Sequence, residues 1–258
     1  MIDLHTHILP GIDDGPETLE GSVELARAAV AAGTRTLVAT PHVSWTYPND
    51  PATIAARVEE LRKRLDTEGI ALDVRAGAEI AMTRLIDMRA EELLPLRLGG
   101  GGWLLLEPPF SPTVTGLDAL ISQLQTQGHG ILLAHPERCP AFHREPEMLR
   151  GLASDGVLMS ITAGSLVGRF GGEVRRFALK MAREKLIHNV TSDAHDTVRR
   201  PPGVSAELRN AGLGPLEGWL TEEVPAAILS PGAPIPTRPH VELPGIESAR
   251  HTWWRRRP

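Results

Sequence analysis

Short apolar and β-branched runs alternate with amphipathic stretches from the first residues of the chain onward. Strands are expected near Ile2–Leu4, Thr36–Ala39, Ala71–Ala76, Trp103–Leu106, Gly130–Ala134, Val157–Ile161 and His188–Thr191. Between them Leu19, Val23, Ala26 and Val30 recur at helical spacing, as do Ile54, Val58, Leu61 and Leu65. Pro16 suits a first helical position, where a missing N–H costs nothing. This alternation gives parallel strands covered by helices, either open and doubly wound or closed as a barrel. About seven strands favour an α/β fold of the distorted TIM-like (β/α) barrel kind, with the doubly wound sheet as the alternative.

The periodicity stops near residue 231, where Pro231, Pro234, Pro236, Pro239 and Pro244 crowd together. One domain is therefore expected over residues 1–230 and a Pro-rich, flexible tail over 231–258. The last residues, "HTWWRRRP", are aromatic and basic. Such an end can meet an acidic partner or a membrane surface, but chain ends are more often loose.

Composition narrows the classes. The chain has 258 residues, 41% hydrophobic and 23% charged, which is enough for a sizeable core. No stretch reaches the roughly 20 apolar residues of a membrane span. Asp3 and His5 stand where a secretory signal needs basic and then apolar residues, so a cytoplasmic protein is expected. The formal charge of −5 disfavours nucleic acid as a partner. A single cysteine, Cys139, excludes an internal disulfide and any multi-cysteine zinc site.

The informative pattern is where metal-capable residues fall. His5 and His7 end the first strand, two apart and so on one side of it, and Asp14 follows in the loop. His42, Glu79, Glu107 and His135 close the next four strands, and Asp193 and His195 close the last. In a parallel fold all these ends share one face. Each residue alone has a bland reading as a loop, cap or ion-pair residue. Together, so many carboxylates would repel one another without cations, and the pattern points to a metalloenzyme. Nine ligands suit two or three ions, with Glu79 the natural bridge. Imidazole and carboxylate without thiolate suit manganese, iron or zinc, whereas calcium prefers oxygen alone.

Arg138, three residues after His135, is placed to grip phosphate oxygens bidentately, and Arg199 and Arg200 are further candidates. A cysteine-phosphatase loop is excluded. Its C-x5-R spacing from Cys139 falls on Glu145, with Arg144 one position early, and Pro140 interrupts the backbone amides. His129, His143, His188, His240 and His251 are read as ordinary histidines.

The segments "DLHTH", "ATPHV", "GAEI", "AHPER" and "SDAH", in this order, resemble the PHP (polymerase and histidinol phosphatase) superfamily. "HILPGIDDG", "LLEPP" and "AGSLVGRFG" resemble more specifically its bacterial CpsB/CapC-type protein-tyrosine phosphatases, over residues 1 to about 203. The resemblance implies a distorted seven-stranded barrel and a trinuclear, usually manganese, centre. It implies one ion on His5, His7, Glu79 and Asp193, a second on Glu79, Glu107 and His135, and a third on Asp14, His42 and His195. Arg138 would hold the substrate phosphate, and Asp13 would shape the loop without being a ligand. The implied activity is hydrolysis of phosphotyrosine on a bacterial tyrosine kinase in capsule or exopolysaccharide control, by direct attack of metal-bound hydroxide. The rivals are a histidinol-phosphate-type small-molecule phosphatase, a nuclease-like phosphodiesterase and a metal-stabilised binding module without catalysis.

Overall fold

The computed structural model describes residues 1–243. Among them, β1 (Ile2–Thr6), β2 (Thr36–Ala39) and β4 (Asp73–Ala76) form one sheet. A second sheet runs β3 (His42–Val43), β5 (Glu79–Ala81), β6 (Trp103–Glu107), β7 (Gly130–Ala134), β8 (Leu158–Thr162) and β9 (Asn189–Thr191), in that order. Every strand pair within the sheets is parallel. The fold is mixed α/β, a single domain with helices between its strands.

The seven expected runs are thus nine strands in two sheets, and their pairing is not one closed ladder. The reason lies in two interruptions at the same level. The chain leaves β2 through Thr40 and Pro41 before β3, and leaves β4 through Gly77 and Ala78 before β5. Pro41 has no N–H for the ladder, while its carbonyl accepts from Glu79 N at 3.1 Å. A Cβ on Gly77 would stand 2.7 Å from Val38 Cγ1, so the Val38 side chain packs directly on the Gly77 backbone, where glycine leaves it room. His42 and Glu79 consequently begin new strands, paired with each other, and do not close the preceding ones. At the far edge β1 meets the segment after β9: Asp193 N donates to His5 O at 3.0 Å and His7 N to Ala194 O at 2.9 Å.

The central strands are covered on both faces. Leu104, Leu105 and Leu106 of β6 and Ile131, Leu132 and Leu133 of β7 are all fully buried, as parallel strands under helices should be. The helix Pro51–Thr67 buries Ile54, Val58, Leu61 and Leu65, the stripe its spacing predicts. The helix Leu19–Ala31 differs from expectation at both ends. Thr18 caps it by accepting from Gly21 N, and Pro16 lies before it, its carbonyl holding Gly11 N at 2.9 Å to close the loop. Its buried stripe passes through Ser22, Ala26 and Ala29, and Val30 faces solvent. Ala71 and Leu72 precede β4, because the turn at Gly69 still completes the preceding helix.

Residues 231–243 form no helix or strand and lie against the body. Trp219 Nε1 donates to Pro236 O at 3.0 Å, and Leu243 is buried. The "HTWWRRRP" end lies outside the described residues.

Candidate metal centre

Strand ends and the loops beside them carry the site, and two of the loops carry it on strained backbone. His135 (φ 30°) follows β7 and Asp193 (φ 52°) follows β9. With Lys185 they are the non-glycine residues in the left-handed region among the described residues. Each such conformation costs roughly 1–3 kcal/mol and persists where surrounding contacts impose it. Here Arg138 N donates to His135 O and Asp193 N to His5 O, and both side chains are turned into the cluster.

All nine sequence-predicted ligand residues come together. His5, His7, Glu79, His135, Asp193 and His195 are buried, His42 and Glu107 are partly so, and Asp14 is at the rim. Four atoms define the centre. His5 Nε2 and His7 Nε2 are 3.2 Å apart, and both lie 3.3 Å from Glu79 Oε2. Asp193 Oδ1 stands 3.5 Å from His5 Nε2 and 3.6 Å from His7 Nε2. Ligand atoms about 2.1 Å from one ion are separated by roughly 3–4 Å, the spacing shown by His5, His7 and Asp193, while Glu79 faces the same two imidazoles from its own side. Asp193 Oδ1 is buried without a hydrogen-bond partner, and Glu79 Oε2 is buried among imidazoles without a well-aligned bond, His42 Nδ1 standing 2.9 Å away, which a cation would explain. The donor set fits a divalent ion.

Two flanking sets share this centre. Glu79 turns its other oxygen, Oε1, to His135 Nε2 at 2.7 Å, and Glu107 Oε1 lies 3.8 Å from the same nitrogen. Asp14 Oδ1 stands 3.2 Å from His195 Nε2 and 3.5 Å from His42 Nε2. His7 also belongs with Asp14, His42 and His195. One carboxylate, Glu79, therefore faces two of the three positions.

The electrostatics show what the cluster demands. Burial pushes the Glu79 carboxyl up, but the charges of His5 and His135 and bonds from His135 and His42 hold it well below the usual range. Burial also opposes ionisation of Asp193, and His5 and Arg200 overcome it in the same way. Glu107 is pushed up to about 7, first by burial and then by the Glu79 charge. Burial depresses His7, yet its bonds to Asp13 and Glu79 raise it to about 10. His135 is lowered to about 4 by burial and the Arg138 charge. Crowding of the buried carboxylates thus favours the protonated forms of His7 and Glu107, and divalent cations would relieve the same crowding.

Two arginines border the centre and meet on one carboxylate. Arg138 Nη1 donates to Asp193 Oδ2 at 3.0 Å and Arg200 Nη2 donates to the same oxygen at 2.5 Å. Arg199 is not brought there. Asp196 Oδ1 accepts from the backbone N–H groups of Val198 and Arg199, a turn that leaves the Arg199 side chain 89% exposed beside Asp196.

Several residues of the site carried no sequence signal of their own. Asp13 Oδ2 accepts from His7 Nδ1 at 2.7 Å and from His42 N at 3.2 Å, while its Oδ1 accepts from Gly15 N. It thereby fixes the His7 tautomer and leaves Nε2 free to ligate. The resemblance implies a loop-shaping residue here, but nothing in the sequence gives its contact with His7. Asp3 accepts from Ser192 N through both carboxylate oxygens, at 3.2 and 3.3 Å, and ties β1 to the Asp193 loop. Glu137, fully buried, accepts from Thr162 N and Ser165 Oγ and pins the turn that carries Arg138. Phe110 and Phe170 flank the Arg138 guanidinium at 5.2 and 4.5 Å. Cys139 is buried, donates to Pro109 O at 3.3 Å and is pushed up by burial, so it is no thiolate.

The chain is similar to known proteins over most of its length. The family described as "Capsular polysaccharide synthesis, CpsB/CapC" matches residues 1–210. The tyrosine-protein phosphatase YwqE of Bacillus subtilis is 39% identical over 201 residues, covering 78% of this chain and 79% of YwqE. The tyrosine-protein phosphatase CpsB of Streptococcus pneumoniae is 28% identical over 208 residues, covering 78% and 86%. A solved chain from work on YwqE and CpsB of those two organisms, described as "unique metal-dependent tyrosine phosphatases", superposes with a TM-score of 0.78. It is 35% identical, and the match covers 89% of this chain and 94% of the other. The chain therefore belongs to the CpsB/CapC family.

Proposed function

We propose that this chain is a metal-dependent protein-tyrosine phosphatase, hydrolysing phosphotyrosine on a bacterial tyrosine kinase in capsule or exopolysaccharide control. The observation that carries the reading is the convergence of His5, His7, Glu79 and Asp193, with Arg138 and Arg200 on the Asp193 carboxylate. The phosphatase relatives support it. His5, His7, Glu79 and Asp193 would hold one ion, Glu79, Glu107 and His135 a second, and Asp14, His42 and His195 a third. Manganese is the first candidate, and iron and zinc suit the same donors. Bound ions supply positive charge and activation of water for in-line phosphoryl displacement.

The protein's own groups supply the rest. Arg138 and Arg200 exchange the Asp193 oxygen they share for the equatorial oxygens of the phosphoryl group, which bear the growing charge. Asp13 orients His7, and Glu137 holds the turn beneath Arg138. The phenolate leaves readily, since phenol titrates near a pKa of about 10. We further read residues 1–230 as the catalytic domain, its two sheets as an interrupted barrel of seven staves, and the cytoplasm as its setting. No helix among the described residues is long and apolar enough to cross a membrane.

The test is chelation followed by add-back of manganese, iron or zinc singly, with turnover of a phosphotyrosine peptide, histidinol phosphate and an oligonucleotide measured side by side. Preference for the peptide, restored by metal, is expected. Full activity in metal-free protein, or preference for histidinol phosphate or the oligonucleotide, would overturn the reading.

A further inference from the structure

The chain is poor in aromatic residues, with four phenylalanines in 258 residues, yet two of them flank one arginine at the centre. Their environments differ. Phe170 is partly buried, with Arg138 4.5 Å and Arg200 5.9 Å from its ring centre. Phe110 is 54% exposed. It stands three residues beyond Glu107, and its ring lies nearly parallel to the His135 imidazole, at 15° and 5.8 Å.

Nothing about Phe110 suggests a loosely held surface residue. Pro108 and Pro109 precede it and restrict the backbone that carries it. Pro109 O is held by Cys139 Sγ, and Ser111 N donates to the same oxygen at 2.7 Å. A large apolar ring is thus held beside buried candidate ligands and Arg138 with about half its surface exposed.

We infer that Phe110 is a specificity-determining residue, and that its exposed surface receives the aromatic ring of the phosphate ester while Arg138 beside it holds the phosphoryl group. An aryl phosphate projects its ring just beyond the bridging oxygen, so a group recognising it must stand next to the phosphate ligand. Phe110 stands there. Tyr47 is likewise stacked on a histidine of the cluster, His42, at 5.6 Å and 10°, but it is partly buried and has no phosphate-gripping arginine against its ring among the described residues. An offset or edge-to-face aromatic pair contributes a selectivity of roughly 2- to 12-fold beyond area burial. The same surface gives a small alkyl phosphate or free phosphate nothing.

The inference rests on the proposed phosphotyrosine activity, and a binding measurement keeps the two separable. Calorimetric titration of the metal-loaded protein with phenylphosphonate and with inorganic phosphate gives a ratio of affinities. In Phe110→Leu, which keeps apolar bulk against Arg138 and His135, the ratio is expected to fall by about 10-fold. Phe110→Tyr should restore it. An unchanged ratio, or equal loss for both ligands, would overturn the inference and leave Phe110 as packing for Arg138. Wild-type protein that turns over no phosphotyrosine peptide would sink the proposed function, while the ratio would still judge Phe110.

Discussion

Replacing Asp13 with asparagine isolates an interaction one step removed from the ligands. The Asp13 carboxylate serves three donors: His7 Nδ1 at 2.7 Å, Gly15 N at 3.0 Å and His42 N at 3.2 Å. Asparagine keeps one acceptor oxygen. If that oxygen faces Gly15, the amide NH2 confronts the two donors on the other side, and His7 loses its charged acceptor. His7 then no longer favours the Nδ1–H tautomer, and its Nε2 must shed a proton before it can ligate. A hydrogen bond to a charged group contributes about 1.5–3 kcal/mol, and losing the carboxylate partner of a metal-binding histidine weakens metal affinity about 10- to 100-fold. The two figures agree, since that range is about 1.4–2.8 kcal/mol. Competitive metal titration against a chromophoric chelator measures it, with thermal melting of the metal-free protein to show that the fold survives. An unchanged affinity in a folded Asp13→Asn protein would refute the role assigned to Asp13.

Arg138→Ala should lower kcat/KM for a phosphotyrosine peptide by roughly 100-fold, the usual effect of losing one donor to transition-state charge. Cys139→Ser should cost mainly about 1 kcal/mol of stability, and the reverse ranking in activity would point to thiol chemistry. His188 Nδ1 accepts from Met159 N at 3.1 Å, and burial with the Arg238 charge lowers its pKa to about 4. The unfolded chain binds this proton first, near pH 6.5. The stabilisation is therefore complete above about pH 6.5 and lost as pH falls toward 4, by up to roughly 3 kcal/mol. Urea titrations from pH 4 to 7 should show His188→Gln with a flatter profile than wild type, and parallel profiles would contradict the assignment. A Cβ on Gly15 would lie 2.1 Å from His7 O, so Gly15→Ala should open the Asp13 loop and cost more than about 2 kcal/mol. Thermal melting checks this, with Gly102→Ala, where nothing lies within 4 Å and the backbone is not left-handed, as the comparison.

Local physics was enough for much of this molecule. Alternation of apolar runs and amphipathic stretches specifies parallel strands under helices, because a parallel strand buried on both faces must be apolar throughout, as β6 and β7 are. Chain order then carries the candidate ligands to one face, since in a parallel fold every strand points the same way. All nine candidates are legible in the sequence, and so is the arginine set Arg138, Arg199 and Arg200.

Contacts between segments distant in sequence decided the rest. The breaks before β3 and β5 depend on Pro41 meeting Glu79 and on Gly77 meeting Val38, so no single window shows them. Arg199 and Arg200 are equivalent as sequence neighbours, and only the turn around Asp196 sends one outward and the other to Asp193. Asp13 acquires its role by facing His7, and Phe110 by standing beside Arg138 from another loop. Sequence periodicity records which way a residue faces relative to its own element. What it meets there is set by how the elements pack, and in this chain that separates the nine ligand candidates from the residues that orient and surround them.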